Sequence, residues 1–181
     1  MIDVGAGDGG YALYRAKTEP STFAIALDAS PDALADGAWR AKRARAANAA
    51  FLVVAVERVP KELYGLAEEV TIHFPWGSLL RGLSTADPAV LHPVASLLRP
   101  GGELRVLLSA TERDGYSNLT PDTLAALASP YIDYGLYPLA IRWASPPDIA
   151  ASRSGWAKRL RAGDARTAVL ARYRRTDPVD G

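Results

Sequence analysis

The sequence predicts a doubly wound α/β fold, with a mostly parallel sheet and helices on both of its faces. Short apolar runs alternate with longer helical patterns along the 181 residues, and this alternation is typical of parallel strands joined by crossover helices. A glycine-rich turn lies where the first apolar run meets the first helix. Hydrophobic residues make up 49% of the chain, which is sufficient for the core of a single domain over residues 1–181.

Hydrophobic periodicity and capping residues predict seven strands and seven helices. The strands are expected at residues 1–4, 22–27, 51–55, 70–73, 103–108, 139–143 and 167–173. The helices are expected at residues 11–17, 31–46, 60–67, 88–98, 121–129, 145–151 and 155–161. Three helices begin with a capping side chain followed by proline: Ser30 before Pro31, Asp87 before Pro88, and Thr120 before Pro121.

The first strand is short on its N-terminal side. Only Met1 and Ile2 precede Asp3, whereas a first strand normally has several apolar residues before its glycine turn. We therefore expect a truncated first strand and a missing N-terminal extension.

The turn after the first strand carries Gly5, Gly7 and Gly9. Without a Cβ, the backbone can adopt a positive φ and approach a ligand closely, while the next helix directs its N–H groups at the same place. Gly5, Gly7 and Gly10 match the G-x-G-x-x-G pattern of dinucleotide sites. Asp3 followed by Gly5, Gly7 and Gly9 matches the pattern usual for S-adenosylmethionine. The glycines alone leave both ligands open.

Two carboxylates follow the second and third strands. In a doubly wound sheet the ligand lies beyond the carboxyl ends of the strands, where the strand order reverses. Asp28 stands where a carboxylate accepts hydrogen bonds from ribose hydroxyls. Glu57, beside Val56, could accept from an adenine amino group or be an exposed loop acid.

The segment after the fourth strand reads His-Phe-Pro-Trp-Gly-Ser over residues 73–78. It would lie next to the first strand, where a transferred group is held. Pro75 has no N–H, so neighbouring carbonyls stay available to a ligand. Trp76 offers a flat face on which a base can stack.

A second tryptophan, Trp156, stands at the head of a short basic helix. The residues that flank it can contact phosphates: Lys158, Arg159, Arg161 and Arg166. Trp76 and Trp156 together could clamp a flipped purine. Trp39 and Trp143 lack such surroundings, and we interpret them as packing residues.

The composition excludes several classes of protein. The absence of cysteine rules out disulfides, Cys-ligated zinc and a thiol nucleophile. No metal site is expected. No apolar run approaches the length of a membrane span and no signal peptide is visible, so we expect a cytoplasmic protein that is not bound to a membrane. The formal charge is +1, but basic residues cluster at 40–45 and 153–175, which indicates a polyanionic partner.

The motifs as a set resemble a known family. They are Asp-Val-Gly-Ala-Gly-Asp-Gly, Leu-Asp-Ala, Ala-Val-Glu-Arg-Val-Pro, Phe-Pro-Trp-Gly-Ser-Leu-Leu-Arg-Gly and Trp-Ala-Lys-Arg-Leu. The chain resembles the aminoglycoside-resistance 16S rRNA (adenine-N1) methyltransferases from Ile2 to about Tyr173. The resemblance implies a Rossmann-like class I methyltransferase fold, whose mostly parallel seven-stranded sheet has an antiparallel final strand. It also implies S-adenosylmethionine as donor, the 30S ribosomal subunit as substrate, and a monomer.

The resemblance assigns roles by motif position. Trp76 and Trp156 would sandwich the adenine, and carbonyls near Pro75 would accept its amino hydrogens. Basic residues near Trp156 would hold rRNA: Lys158, Arg159, Arg161 and Arg166. The cofactor pocket would be lined by Asp3, Gly5, Gly7, Asp28, Val56, Glu57, His73, Phe74, Ser78 and Ser154.

Three other functions remain open from the residues alone. A tRNA guanine-N7 methyltransferase shares a Phe-Pro-x-Pro-Trp segment after its fourth strand, although the spacing here is Phe-Pro-Trp. A nicotinamide-dependent dehydrogenase fits the glycine turn, but no Tyr-x-x-x-Lys pair supports it. A non-catalytic module that binds cofactor or RNA is the third alternative.

Overall fold

The computed structural model describes residues 1–110, 119–154 and 167–176, which form a seven-stranded sheet. The strands are β1 (Ile2–Val4), β2 (Ala24–Asp28), β3 (Ala49–Val53), β4 (Ala67–His73), β5 (Leu98–Leu108), β6 (Leu136–Trp143) and β7 (Val169–Arg175). Their order is β3-β2-β1-β4-β5-β7-β6. β7 is antiparallel to both β5 and β6, and the other pairings are parallel. The mostly parallel sheet with an antiparallel last strand is therefore confirmed.

Seven α-helices occur in the described part of the chain. They are α1 (Gly10–Thr18), α2 (Pro31–Arg43), α3 (Gly77–Thr85), α4 (Pro88–Leu97), α5 (Pro121–Ala125), α6 (Ala128–Asp133) and α7 (Pro146–Ala151). The predicted caps are present, since the side chains of Ser30, Asp87 and Thr120 accept hydrogen bonds from backbone N–H groups in the first turn of α2, α4 and α5. Within the described ranges, no helix is long and apolar enough to span a membrane.

The two faces of the sheet have different cores. Large aliphatic side chains of β1, β4 and β5 pack against α3, α4 and α6 on one face. On the other face, small residues such as Ala12, Ala16 and Ala26 let α1 and α2 lie close to β1 and β2. Side chains alternate along β1, so Ile2 and Val4 enter the large core while Asp3 points to the opposite face. Asp3 is thus placed beneath the glycine turn.

The helix predicted at residues 60–67 is wrong. Only single 3₁₀ turns occur at Val56–Arg58 and Lys61–Leu63. Gly65 then takes a φ of 70°, its N–H donates to the carbonyl of Ser96, and Ala67 already belongs to β4. The positive φ at Gly65 breaks the helical path that periodicity alone favoured.

Two other expectations need correction. α3 was not predicted, although it follows Trp76 directly. Trp39 and Trp143 are not packing residues, because their exposed fractions are 57% and 47%. Trp39 lies on the outer side of α2, and Trp143 ends the edge strand β6. The helix predicted at residues 155–161 lies outside the described residues.

Candidate active site

The glycine turn joins β1 to α1 at the point where the strand order reverses between β1 and β4. Gly5, Gly7 and Gly9 have φ values of 67°, 56° and 65°, a region that side chains with a Cβ rarely adopt. A Cβ on Gly37 in α2 would collide with the carbonyl oxygen of Asp8. α2 therefore packs directly on the turn and fixes its backbone from outside.

Asp28 ends β2 and links the second strand to the glycine turn. Its Oδ2 accepts a hydrogen bond from the N–H of Gly7 at 2.7 Å, and its Oδ1 accepts one from the N–H of Ser30 at 2.9 Å. Each carboxylate oxygen has two lone pairs, so each keeps capacity for a further donor. The half-buried carboxylate is held in place by the backbone and can still accept two hydroxyl groups of a ligand.

A cavity of about 200 Å³ opens beside Asp28. The 3₁₀ turn after β3 forms one wall, with Val56 buried and Glu57 exposed. The opposite wall is the start of α3, including Ser78. Aliphatic walls with carboxylates at two edges suit a flat nucleoside that carries hydroxyl and amino donors.

The segment after β4 turns sharply. Phe74 has a φ of 52°, which for a residue with a side chain stores about 1–3 kcal/mol of strain. Its ring is buried in a small cluster with Leu107, Ile149 and Leu170, and its N–H donates to the carbonyl of Leu107 at 2.8 Å. Because the ring is anchored inward, the next residues are directed outward.

Trp76 is the residue that this turn presents. Its exposed fraction is 72%, the largest among the exposed large hydrophobic residues of the described chain. Pro75, just before it, is buried. Trp76 lines the first cavity and also a second cavity of about 400 Å³ on the other side of the glycine turn. An indole at the rim shared by two cavities can stack on a group that enters from solvent.

The second cavity has a polar floor. Asp3 is only 3% exposed and accepts a hydrogen bond from Thr71 Oγ1 at 2.7 Å; burial raises the pKa of its carboxyl to about 7. His73 Nδ1 lies 3.8 Å from Asp3 Oδ1, and the ring of Tyr11 meets the imidazole edge-on at 4.6 Å. Burial, with the positive charges of Arg105 and Arg15, lowers the pKa of His73 to about 3. The imidazole is therefore neutral, and the two side chains do not form an ion pair.

A basic groove lies outside the two cavities, between α1 and α2. The guanidinium of Arg43 stands 4.7 Å from the ring of Trp39, and that of Arg153 stands 4.2 Å from the ring of Tyr14. Lys17 also lines this groove. Sequence reasoning noted the basic cluster but missed the aromatic residues, although Trp39 and Arg43 are four residues apart on a helix and so share a face.

The structure brings most of the predicted residues to one place. The two cavities, which share Gly5, Gly7, Asp28 and Trp76, are lined by the predicted Asp3, Val56, Glu57, His73, Phe74, Pro75, Ser78 and Ser154. Ser154 approaches from beyond α7, and its N–H donates to Ser152 Oγ at 3.3 Å. The remaining predicted residues lie outside the described ranges: Trp156, Lys158, Arg159, Arg161 and Arg166.

Several known proteins are similar to this chain in sequence and fold. The model of a family described as NpmA, 16S rRNA (adenine(1408)-N(1))-methyltransferase, matches residues 1–175. A 16S rRNA (adenine(1408)-N(1))-methyltransferase of Streptoalloteichus tenebrarius is 31% identical, over 94% of this chain and 84% of that protein.

Solved structures agree with this result. A variant of the 16S rRNA (adenine(1408)-N(1))-methyltransferase from Catenulisporales acidiphilia, crystallised with cosubstrate SAM (S-adenosylmethionine), has a TM-score of 0.88 and 28% identity, with coverage of 99% of this chain and 87% of that one. The aminoglycoside resistance methyltransferase NpmB1 has a TM-score of 0.75 and 31% identity, with coverage of 97% and 86%. The chain belongs to the family of 16S rRNA (adenine(1408)-N(1))-methyltransferases.

Proposed function

We propose that this chain transfers a methyl group from S-adenosylmethionine to N1 of a decoding-site adenine in the 16S rRNA of the 30S subunit. The product blocks aminoglycoside action, so the host becomes resistant. The observation that carries the proposal is the position of Trp76, a highly exposed indole at the rim shared by the two cavities. The chain acts as a single, monomeric methyltransferase domain in the cytoplasm.

The described residues fit the cofactor. Asp28 retains acceptor capacity for both ribose hydroxyls, and Glu57 stands at the edge of the aliphatic cavity where an adenine amino group can donate to it. A Cβ built on Gly7 would meet nothing within 4 Å, so the ligand-facing side of the turn is open. The polar floor of the second cavity, with Asp3 and His73, suits the amino-acid end of S-adenosylmethionine. When bound, the cofactor supplies a methyl group on a sulfonium centre.

Trp76 holds the target base. A stacked base gains about 1–3 kcal/mol from an aromatic side chain, which offsets part of the cost of drawing an adenine out of its stack. N1 gains positive charge as the new bond forms, and an indole face stabilises a cation by about 0.5–2 kcal/mol. Trp156 is proposed as the second face of this clamp.

The reaction needs no general base. Adenine N1 has a free lone pair, so no proton has to leave before it attacks the methyl group. The buried, neutral His73 therefore need not accept a proton. The contribution of the protein is to align the two reacting atoms and to exclude water, which is the contribution of proximity and orientation.

The groove between α1 and α2 is proposed to contact rRNA. Two arginines that stack on aromatic rings, with Lys17 beside them, give a positive surface next to the catalytic cleft. Such a surface binds the phosphate backbone with an affinity that falls as salt rises. The basic residues that follow Trp156 in the sequence are proposed to contact rRNA as well: Lys158, Arg159, Arg161 and Arg166.

Primer extension on 30S subunits tests the proposal. A methyl group on N1 blocks Watson–Crick pairing, so reverse transcriptase stops at the modified adenine. Incubation of the chain with 30S subunits and S-adenosylmethionine should give a new stop at the decoding site. We expect Trp76→Ala to lower the methylation rate by about 5- to 150-fold, the equivalent of 1–3 kcal/mol of stacking.

Trp143→Ala is the matched control, because Trp143 is also exposed but lies on the edge strand β6 and lines neither cavity. It should methylate at the wild-type rate. A wild-type chain that binds S-adenosylmethionine but produces no stop in 16S rRNA would overturn the proposed function. Equal losses in the two tryptophan variants would overturn the role of Trp76.

A further inference from the structure

Asp3 and His73 face each other on the floor of the second cavity. Asp3 is in β1 and His73 ends the neighbouring strand β4, and both side chains point to the face of the sheet that also carries Thr71. The nearest atoms, Asp3 Oδ1 and His73 Nδ1, are 3.8 Å apart. That separation is too long for a hydrogen bond between them. It does suit one donor group that lies between the two atoms and bonds to both.

His73 has an unused nitrogen at this point. Its side chain is 7% exposed, and within the described part of the chain Nδ1 has no hydrogen-bond partner. Buried polar atoms normally have a partner. Because burial, with the positive charges of Arg105 and Arg15, keeps the imidazole neutral, one ring nitrogen carries a lone pair and can accept a hydrogen bond.

Asp3 changes its protonation within the physiological range. Burial raises the pKa of its carboxyl to about 7, although the hydrogen bond from Thr71 favours the ionised form. A cationic group beside this carboxyl would favour ionisation strongly. The charged and titratable groups that surround the pair on neighbouring elements are Asp8, Tyr11, Arg15, Asp28, Glu69, Arg105 and Arg153.

We propose that His73 is a second acceptor, beside Asp3, for the ammonium group of the cofactor, and that this pair couples cofactor binding to the release of one proton. The inference rests on the proposed function, because it takes S-adenosylmethionine as the ligand. The free protein holds a proton on Asp3 at and below neutral pH. When the ammonium group docks, that proton passes to solvent, and two ammonium N–H groups donate to Asp3 and to His73.

Calorimetry with two ligands tests the coupling. S-adenosylmethionine carries the ammonium group, whereas 5′-methylthioadenosine has the same adenosine but a neutral thioether in place of the sulfonium and no amino-acid end. Between pH 7.0 and pH 5.5 the affinity for S-adenosylmethionine should fall, by up to about tenfold per pH unit, while the α-ammonium stays charged below about pH 7.7. The affinity for 5′-methylthioadenosine should stay constant. Measurements in two buffers of different ionisation enthalpy should show one proton released per S-adenosylmethionine at pH 6.

Two variants separate the roles of the pair. Asp3→Asn should remove the pH dependence of S-adenosylmethionine binding and the released proton. His73→Phe keeps an aromatic ring against Tyr11 but removes the acceptor. It should weaken the binding of S-adenosylmethionine by about 5- to 30-fold. The affinity for 5′-methylthioadenosine should not change, and the pH dependence of S-adenosylmethionine binding should remain.

The inference fails if S-adenosylmethionine binds the wild-type protein with no pH dependence and no proton release. It also fails if His73→Phe weakens both ligands equally, since that result marks a merely structural role. Either result can occur in an enzyme that still methylates 30S subunits. A failure of the proposed function is a different result, in which S-adenosylmethionine binds but the rRNA stays unmodified.

Discussion

Asp3 and His73 should give the stability of the ligand-free protein two opposite dependences on pH. Burial raises the pKa of the Asp3 carboxyl to about 7 in the folded chain, from an ordinary value of 3.8. Its contribution to stability is therefore present at low pH and is lost as pH rises from about 4 to 7. His73 has a pKa of about 3 against 6.5. Its contribution is present above pH 6.5 and is lost as pH falls towards 3.

The two effects nearly cancel in the wild-type protein. One proton of difference between the folded and unfolded states changes the free energy of unfolding by about 1.4 kcal/mol per pH unit. Between pH 4.5 and 6.5 the folded state holds one proton more at Asp3 and one fewer at His73 than the unfolded state does. Burial is the largest cause of both pKa shifts, so a variant that keeps the volume of one side chain should keep the burial of the other and its pKa shift.

Urea unfolding of single variants at pH 4.5, 5.5 and 6.5 should reveal the opposite slopes. Relative to wild type, Asp3→Asn should gain about 3 kcal/mol of stability over these two pH units, because only the His73 effect remains. As pH rises over the same range, His73→Phe should lose about 3 kcal/mol of stability, because only the Asp3 effect remains. The reasoning is refuted if the two variants change in the same direction, or if both run parallel to the wild-type curve.

Three further predictions concern the surroundings of the cleft. Gly37→Ala should destabilise the protein in thermal unfolding, because the new Cβ would collide with the carbonyl oxygen of Asp8. In an ordinary helix the same substitution stabilises by about 1 kcal/mol. A rise in Tm would contradict this packing. Asp28→Asn should weaken S-adenosylmethionine binding in calorimetry by about 1.5–3 kcal/mol, and unchanged affinity would exclude Asp28 as the ribose acceptor. Arg43→Glu should weaken 30S binding in filter assays and reduce the slope of log affinity against log salt concentration by about 1. Arg99→Glu, at the opposite end of the sheet, should leave the affinity and the slope unchanged.

The sequence was most informative where local backbone chemistry decides the structure. The glycine turn must adopt positive φ values, and Asp28 follows one βα unit later, so their meeting at the strand ends could be predicted from spacing. Hydrophobic runs located all seven strands. β5 and β6 nevertheless begin several residues earlier than expected, because β5 extends past its apolar run along β4 and β6 extends past its apolar run along β7.

Prediction failed where distant residues decide. The helix predicted at residues 60–67 does not form, because the chain turns at Gly65, whose N–H donates a hydrogen bond to the carbonyl of Ser96 more than thirty residues away. The exposure of Trp39 depends on which face of α2 meets the glycine turn, and Gly37 determines that face by its close approach to Asp8. The neutrality of His73 depends first on its burial and then on the positive charges of Arg105 in β5 and Arg15 in α1. None of these relations is visible in a local window of sequence.

The outward position of Trp76 follows from a balance of forces at Phe74. Glycine at this position would adopt the φ of 52° without strain, a relief of about 1–3 kcal/mol. It would also remove a ring that is 97% buried against Leu107, Ile149 and Leu170, and loss of a buried phenylalanine costs about 3–5 kcal/mol. Packing therefore outweighs strain, and the strained turn persists. Because the Phe74 ring is anchored in the core, the backbone leaves the sheet at Pro75 and directs the indole of Trp76 into solvent. A buried contact therefore fixes the position of the exposed aromatic residue on which the proposed base recognition depends.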